Sequence, residues 1–320
     1  TDNSNINNIK PIYDYLASKN IKTTKTVWVY PSRDTFTGQT LQNNNYYKFI
    51  KLLKGDGFDI QLHNVGSGNF SRTEIIKGLD EFKQKLGKYP NMHINHCSNA
   101  DNLYWGHKRF GMILRKTMQI IEGSKKRFYG DEINSNYFWG DIAKEKIKFI
   151  RNRVFNEINT LKYDPKMPFR EKRKIFSNYW FSSSDGHNLK QFNNLVTKSN
   201  IDKLKRDKGL CIVYTHFASD FVDQQGKLDE IFKENINYLS KQNGWFVPAN
   251  DILEYLLSQK KKDYVSSSYI NKLDLRWLID KIKKKYKIAS DKIVMICDVI
   301  SDNNFFDYYE KDFIEEIECF

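Results

Sequence analysis

The stretch IQLHNVGSGNFSR, residues 60–72, runs a short apolar strand into a histidine and then into a turn of small residues. A helix pattern follows at once. SRTEIIKGLDEFKQKLG (71–87) opens on Ser71 with Glu74 three residues on, the spacing of a capping box, and closes at Gly87. A strand, a tight turn and a capped helix in this order form half of a parallel βαβ unit. In such units chemistry gathers at the C-terminal ends of the strands, where His63 stands.

The pattern repeats along the chain. IKPIYDYLASKN (9–20) has helical spacing, with Ile9, Ile12, Tyr13 and Leu16 on one side. TKTVWVYP (24–31) reads as a strand closed by proline, and NYYKFIKLLKGDG (45–57) as a helix ending at glycines. MHINH (92–96) is a short strand, FIRNRVFNEINTLKYD (149–164) is mixed, and IFSNYWFSSSDG (175–186) is a strand running into a loop. GLCIVYTHF (209–217) has the strongest strand character of all. LDEIFKENINYLSKQ (228–242) predicts a helix, and WFVPANDILEYLLSQ (245–259) a strand turning into one. From about residue 262 the pattern changes to a helix (275–286), a strand KIVMIC (292–297) and an acidic, aromatic tail. The expected fold class is therefore α/β, with a parallel sheet open or closed into a barrel.

Composition narrows the function. A 320-residue chain with 40% hydrophobic residues can bury a large core. The formal charge of +13 is spread over lysines. No aromatic-basic motif of a nucleic-acid module accompanies it, so nucleic acid is not the expected partner. No stretch is long and apolar enough to span a bilayer. The four cysteines, Cys97, Cys211, Cys297 and Cys319, form no CxxC pair or disulfide framework, which leads us to expect a reducing, cytoplasmic location. The sequence does not fix an oligomeric state.

Six histidines are present, and three of them end expected strands: His63, His96 and His216. One histidine in such a place is more often a hydrogen-bonded core residue; three together favour a site. Neutral imidazoles suit a divalent ion such as Zn²⁺, usually with a carboxylate beside them. Asp2, ahead of the first helix, offers one. His93 points to the opposite strand face from His96 by alternation.

These features resemble the polysaccharide deacetylase (NodB-like) superfamily. IYDYLASKNIKTTKTVWV (12–29) is similar to the family's first helix and second strand. GFDIQLHNVGS (57–67) falls at its metal-histidine motif, and GLDEFKQKLGKYPNMHINHCSN (78–99) leads into the third motif. CIVYTHFA (211–218) is similar to the last motif, and GWFVPANDILEYL (244–256) to the segment after it. The resemblance implies a distorted (β/α) barrel of the glycoside hydrolase/deacetylase type over residues 1–261, followed by a small C-terminal α/β extension over 262–320. It implies a metal-dependent hydrolase removing an N-acyl group, acetyl above all, from a sugar of a surface polysaccharide or its precursor. Asp2 and His63 would hold the divalent ion, zinc being expected, and His216 would be the general acid.

Two departures stand out. Thr1 precedes Asp2 where the family has paired aspartates. Ser67 stands four residues after His63 where the family has the second histidine of HxxxH. His96 is the expected replacement ligand. The departures also suit a second reading, a non-catalytic carbohydrate-binding barrel. A glycosidase on the same scaffold would need two flanking carboxylates, for which Asp101, Asp141 and Asp185 are the candidates. Asn99, Asp101, Asn102, Tyr104, Trp105 and Trp180 are candidate sugar-binding residues, from hydroxyl-bonding and ring-stacking side chains in polar, aromatic stretches. Asn99 or Asp101 as a plain helix cap is an equal alternative.

Overall fold

The computed structural model describes residues 1–123 and 127–286. Its elements run α1 (Ile6–Ser18), β1 (Thr24–Val27), α2 (Asn44–Gly55), β2 (Asp59–Leu62), α3 (Arg72–Leu86), β3 (Met92–His93), α4 (Met112–Glu122), α5 (Gly140–Lys146) and β4 (Phe149–Phe155). They continue with α6 (Thr160–Tyr163), β5 (Tyr179–Asp185), α7 (Leu189–Leu195), α8 (Lys198–Arg206), β6 (Val213–Tyr214), α9 (Glu230–Ser240), α10 (Ala249–Ser258) and α11 (Ser267–Tyr286). The six strands are all parallel and lie in chain order, β1 to β6. Such an order requires each crossover to pass on the same side, which curls the sheet towards a barrel. The curl is visible in the cavity at its centre, about 100 Å³, which takes walls from both sheet edges: Thr24 and Thr26 of β1 and Val213 and Tyr214 of β6. The fold is thus the distorted (β/α) barrel of the expectation.

Local sequence explains the elements that place the site. In α3 the expected capping box is present, with Ser71 and Glu74 exchanging side-chain bonds, and Gly87 ends the helix at φ +85°. Ile75, Leu79, Phe82 and Leu86 turn one face of α3 to the core. The turn after β2 is tied to the exit of β1: Val29 and Tyr30 both donate backbone N–H to the Val65 carbonyl, at 2.9 and 2.7 Å.

Four segments differ from their sequence pattern. MHINH (92–96) keeps only the two residues of β3, so His96 lies beyond the strand, and WFVP (245–248), expected as a strand, forms none before α10. Two more depart for reasons the contacts show. GLCIVYTHF yields only the two residues of β6. Its one sheet partner is β5, and the Ile212 N–H is diverted to the Thr160 hydroxyl at 3.0 Å, so the ladder stops there. The segment expected as mixed, by contrast, gives β4, buried along its whole length although it contains Arg151, Asn152 and Arg153. The register against β5 shifts between Arg151 and Val154. The charge of Arg153 is met from α11, where Asp274 accepts from its Nε at 2.9 Å; the other carboxylate oxygen accepts the Gly111 N–H at 2.6 Å. The expected helix 275–286 is the later part of α11, whose Leu273 and Trp277 are buried. The expected strand 292–297 and Cys297 and Cys319 lie outside the described residues.

Removing Asp274 isolates a buried guanidinium. Asp274→Ala should lower unfolding free energy by about 3–5 kcal/mol, read from urea denaturation. A loss under about 1 kcal/mol would show that β4 does not depend on α11.

His93 provides a pH prediction. It is fully buried on β3, its Nε2 3.1 Å from the Asn95 side-chain oxygen, and Trp139 meets its ring edge-on. Burial lowers its pKa to about 3. The folded state therefore keeps it neutral while the unfolded chain takes up a proton below about 6.5. Its stabilising effect is complete above that pH and is lost as pH falls towards 3, by about 1.4 kcal/mol per pH unit. Asp101, pushed up to about 7 by burial, titrates in the opposite sense over part of this range. The contribution of His93 is therefore read as the difference in slope between wild type and His93→Gln, where the variant should fall less steeply on acidification.

Candidate metal centre

Asp2 lies where the two edges of the curled sheet come together. The Thr1 hydroxyl before it donates to the Thr26 carbonyl on β1 at 2.6 Å, and Asn3 after it donates to the Thr37 carbonyl at 2.5 Å. Between these anchors the carboxylate meets three imidazoles. Its Oδ1 is 3.3 Å from His63 Nε2 and 3.7 Å from His96 Nε2, and its Oδ2 is 3.2 Å from His216 Nε2. The three strand-end histidines singled out in the sequence thus converge on the carboxylate singled out with them.

The state of each ring follows from its partners. His63 Nδ1 is 3.0 Å from the Ile94 carbonyl. A carbonyl only accepts, so Nδ1 carries the hydrogen. Burial lowers the His63 pKa to about 4, so the ring is neutral near pH 7 and its Nε2 carries a lone pair. That lone pair faces Asp2 Oδ1. Burial likewise lowers the pKa of His96 and of His216. For Asp2, burial pushes the pKa up, but the imidazoles gathered round it outweigh burial and hold the carboxyl well below its usual range.

An ionised carboxylate facing imidazole lone pairs calls for a cation between them. Asp2 Oδ1 and His96 Nε2 are both buried without a hydrogen-bond partner. The donor atoms of Asp2, His63 and His96 all lie within 4.8 Å of one another. Bonds of about 2.1 Å at tetrahedral angles would place ligand atoms about 3.4 Å apart. The observed 3.3 and 3.7 Å straddle that spacing. The donor set therefore has the spacing to hold a metal ion.

The surroundings hold these rings in place. Trp28 stacks on His63 with an interplanar angle of 11°, and Phe36 meets His96 edge-on at 4.7 Å between centroids. Asn64, at φ +44°, follows His63 and ties the turn to the next strand exit. Its oxygen accepts the His96 N–H at 2.7 Å, and its amide donates to Asp101 Oδ2 at 2.7 Å. The Tyr214 hydroxyl lies 3.1 Å from His216 Nε2, and the Arg151 guanidinium sits 3.9 Å from the centre of the Tyr214 ring.

The six candidate sugar-binding residues are placed differently from the histidines. Asn99 accepts the Gly68 N–H and donates to the Gly66 carbonyl, both at 2.9 Å. Asp101 accepts from Asn64 and from the Phe70 N–H at 3.4 Å, and Asn102 donates to the His96 carbonyl. The Tyr104 hydroxyl accepts the Phe176 N–H at 3.1 Å, and its ring meets buried Trp180 edge-on. Trp105 lies under the Arg109 guanidinium. All six are buried; Asn99 and Asp101 hold the 95–105 loop against the His63 turn, while Tyr104, Trp105 and Trp180 pack on the side away from it. Asp141 is bound by Arg72 on the surface, and Asp185 by His187 at 2.8 Å and Lys284 at 3.0 Å.

Asp34 is the residue the sequence reading passed over. The Ser67 hydroxyl donates to its two oxygens at 2.7 and 2.8 Å, and Ser98 lies between it and His96, 3.4 Å from each. A second carboxylate thus stands beside the position where the HxxxH pattern would place a histidine. Its one sequence signal was its place in a polar loop, PSRDTFTG (31–38), at a strand exit.

No protein-family model matches the chain, and no curated protein matches it. Among solved structures it is similar to a "putative polysaccharide deacetylase from Mycobacterium smegmatis", with a TM-score of 0.47 and 10% identity over 81% of this chain and 80% of that one. The functional reading therefore rests on the residues themselves.

Asn64→Ala should remove both bonds that join the His63 turn to the His96 loop. It leaves the His96 N–H and the Asp101 carboxyl buried with a partner lost, at a cost of about 2–4 kcal/mol in urea denaturation. A loss below about 0.5 kcal/mol would mean that the loop is held by its other bonds.

Proposed function

We propose that the chain is a metal-dependent hydrolase that removes an N-acyl group, acetyl above all, from a sugar of a surface polysaccharide or its precursor. The observation that carries this reading is the meeting of Asp2, His63, His96 and His216 at the mouth of the barrel. Asp2, His63 and His96 would hold the ion, with zinc as the proposed metal. A bound divalent ion supplies Lewis acidity towards the amide carbonyl and makes water acidic enough to attack at neutral pH. The Ile94 carbonyl fixes the His63 ring so that Nε2 faces the ion.

His216 contacts the other carboxylate oxygen and is left outside the ligand set. Positioned by Asp2 and Tyr214, it would take up the proton the attacking water releases and hand it to the departing amine as the C–N bond breaks. The buried loop residues Asn99, Asp101, Asn102, Tyr104 and Trp105, with Trp180, would shape the cleft by fixing the His96 loop. The catalytic barrel would cover residues 1–261, with 262–320 as an extension whose first helix buttresses β4. Cys97 and Cys211 are not in disulfides, and no helix of the described residues is long and apolar enough to cross a membrane.

A non-catalytic carbohydrate-binding barrel is the second reading. Ser67 in place of the second histidine and Thr1 in place of the first aspartate favour it. Metal content decides between the two. The deacetylase reading expects about one zinc-like ion per chain by mass spectrometry, lost in His63→Ala. It also expects acetate release from N-acetylglucosamine oligomers that drops about 10²–10⁴-fold in His216→Asn with the metal retained. Wild type that stays metal-free after reconstitution with zinc, cobalt, nickel and manganese would overturn it in favour of the carbohydrate-binding barrel.

A further inference from the structure

Helix α4 turns an unusual mixture of side chains to solvent. Met112, Ile113 and Ile120 are 56%, 70% and 81% exposed, while Met118 on the opposite side is buried. Ile113 and Ile120 are seven residues apart, so they lie on one line along the helix, about two turns from each other. Lys116 is exposed next to that line, between it and Met112, and Arg115 is exposed on the far flank of the solvent-facing arc. The segment 172–175 adds exposed Lys172 and Arg173 and Ile175, which is 60% exposed. A groove of about 580 Å³ runs between helix and segment, with Met112, Arg115, Lys116 and Arg173 in its walls. A second groove of about 510 Å³ shares Met112 and Arg173 with it.

The charges sort by direction. Lys108 and Lys174, which point inward, are paired with Asp131 and Glu132 and with Glu171. No ion pair with Arg115, Lys116, Lys172 or Arg173 is found among the described residues. Exposed apolar side chains and cations without an ion pair therefore lie close together on the solvent side of α4 and the adjoining segment, Met112 and Lys116 between the isoleucines and the other cations.

We propose that this face docks on an anionic lipid surface. The aliphatic side chains would enter the boundary between headgroups and acyl chains, and the cations would meet the lipid phosphates, as in an interfacial amphipathic helix. Complementary charge selects this occupant. A second copy of the chain would set four cations against four. A nucleic acid would match the cations but give Ile113 and Ile120 nothing apolar to enter.

The test is co-sedimentation of the whole protein with vesicles of phosphatidylcholine alone and of phosphatidylcholine mixed equally with phosphatidylglycerol. Binding is expected to the anionic vesicles only. Arg115→Glu/Lys116→Glu should weaken it more than about tenfold, since each basic residue near such a surface contributes a factor of about five. Ile113→Ser/Ile120→Ser should weaken it at least about tenfold through lost apolar burial. All four residues are exposed, so both double variants should keep the wild-type melting curve. Absence of vesicle binding, or equal binding to both vesicle types, would overturn the proposal. So would two other results: anionic binding untouched by the isoleucine pair and competed by duplex DNA, or a dimer in sedimentation that the isoleucine pair dissolves.

Discussion

The structure turns on one short contact, the lone pair of His63 Nε2 facing Asp2 Oδ1. An ionised carboxylate taken from water into a protein costs several kcal/mol unless positive charge or hydrogen bonds meet it. Here the imidazole nearest Oδ1 cannot offer a hydrogen, because its hydrogen is committed to the Ile94 carbonyl on the other side of the ring. Each element of the barrel mouth can be read against that constraint. β2 delivers His63, and the loop after β3 delivers His96. The loop after β6 delivers His216, and the curl of the sheet brings all three within reach of a residue that precedes α1.

Holding such a cluster takes a polar scaffold where a hydrophobic one would be expected. The loops behind the histidines carry buried asparagines, an aspartate and serines alongside Val65 and Leu103. Each short side chain here satisfies a backbone group that a loop would otherwise leave unpaired: Asn64 for His96, Asn99 for Gly66 and Gly68, Asn102 for the His96 carbonyl. These bonds fix loop shape more closely than packing would, because each has a direction as well as a distance. The same residues look like sugar-binding groups in the sequence, since hydroxyl recognition and loop-bonding call for the same chemistry. Burial separates the two uses, and burial of a polar loop is not written in its composition.

Much of the architecture was legible for a physical reason. Where a signal is local, as in the Ser71–Glu74 box, Gly87 and the apolar face of α3, the sequence carries it within one helix. The strand-end position of the histidines is a similarly local signal, and it led to residues that do converge. Legibility failed where the partner is far along the chain. β4 hides its strand character behind Arg151 and Arg153, because the charge that makes Arg153 tolerable sits 121 residues away on α11. β6 failed in the opposite sense: its residues are ideal for a strand, but a strand is as long as its ladder, and the ladder depends on neighbours. Asp34 was missed because nothing in its loop marks it until Ser67 and Ser98 are folded against it.

The division of the Asp2 carboxylate carries the argument furthest. Oδ1 is shared by His63 and His96, the pair that forms the donor set, while Oδ2 is left to His216. One carboxylate can in this way serve an ion and orient an acid at once, each through a different oxygen. Ser67, four residues after His63, donates to Asp34, so a second carboxylate stands one layer out from the cluster. An ion held by one carboxylate and two neutral imidazoles keeps a net positive charge. A carboxylate beside the His96 ligand partly offsets that charge without occupying a coordination position. The mouth of the barrel thus gathers three imidazoles on one carboxylate, with Asp34 adding a second negative charge beside His96.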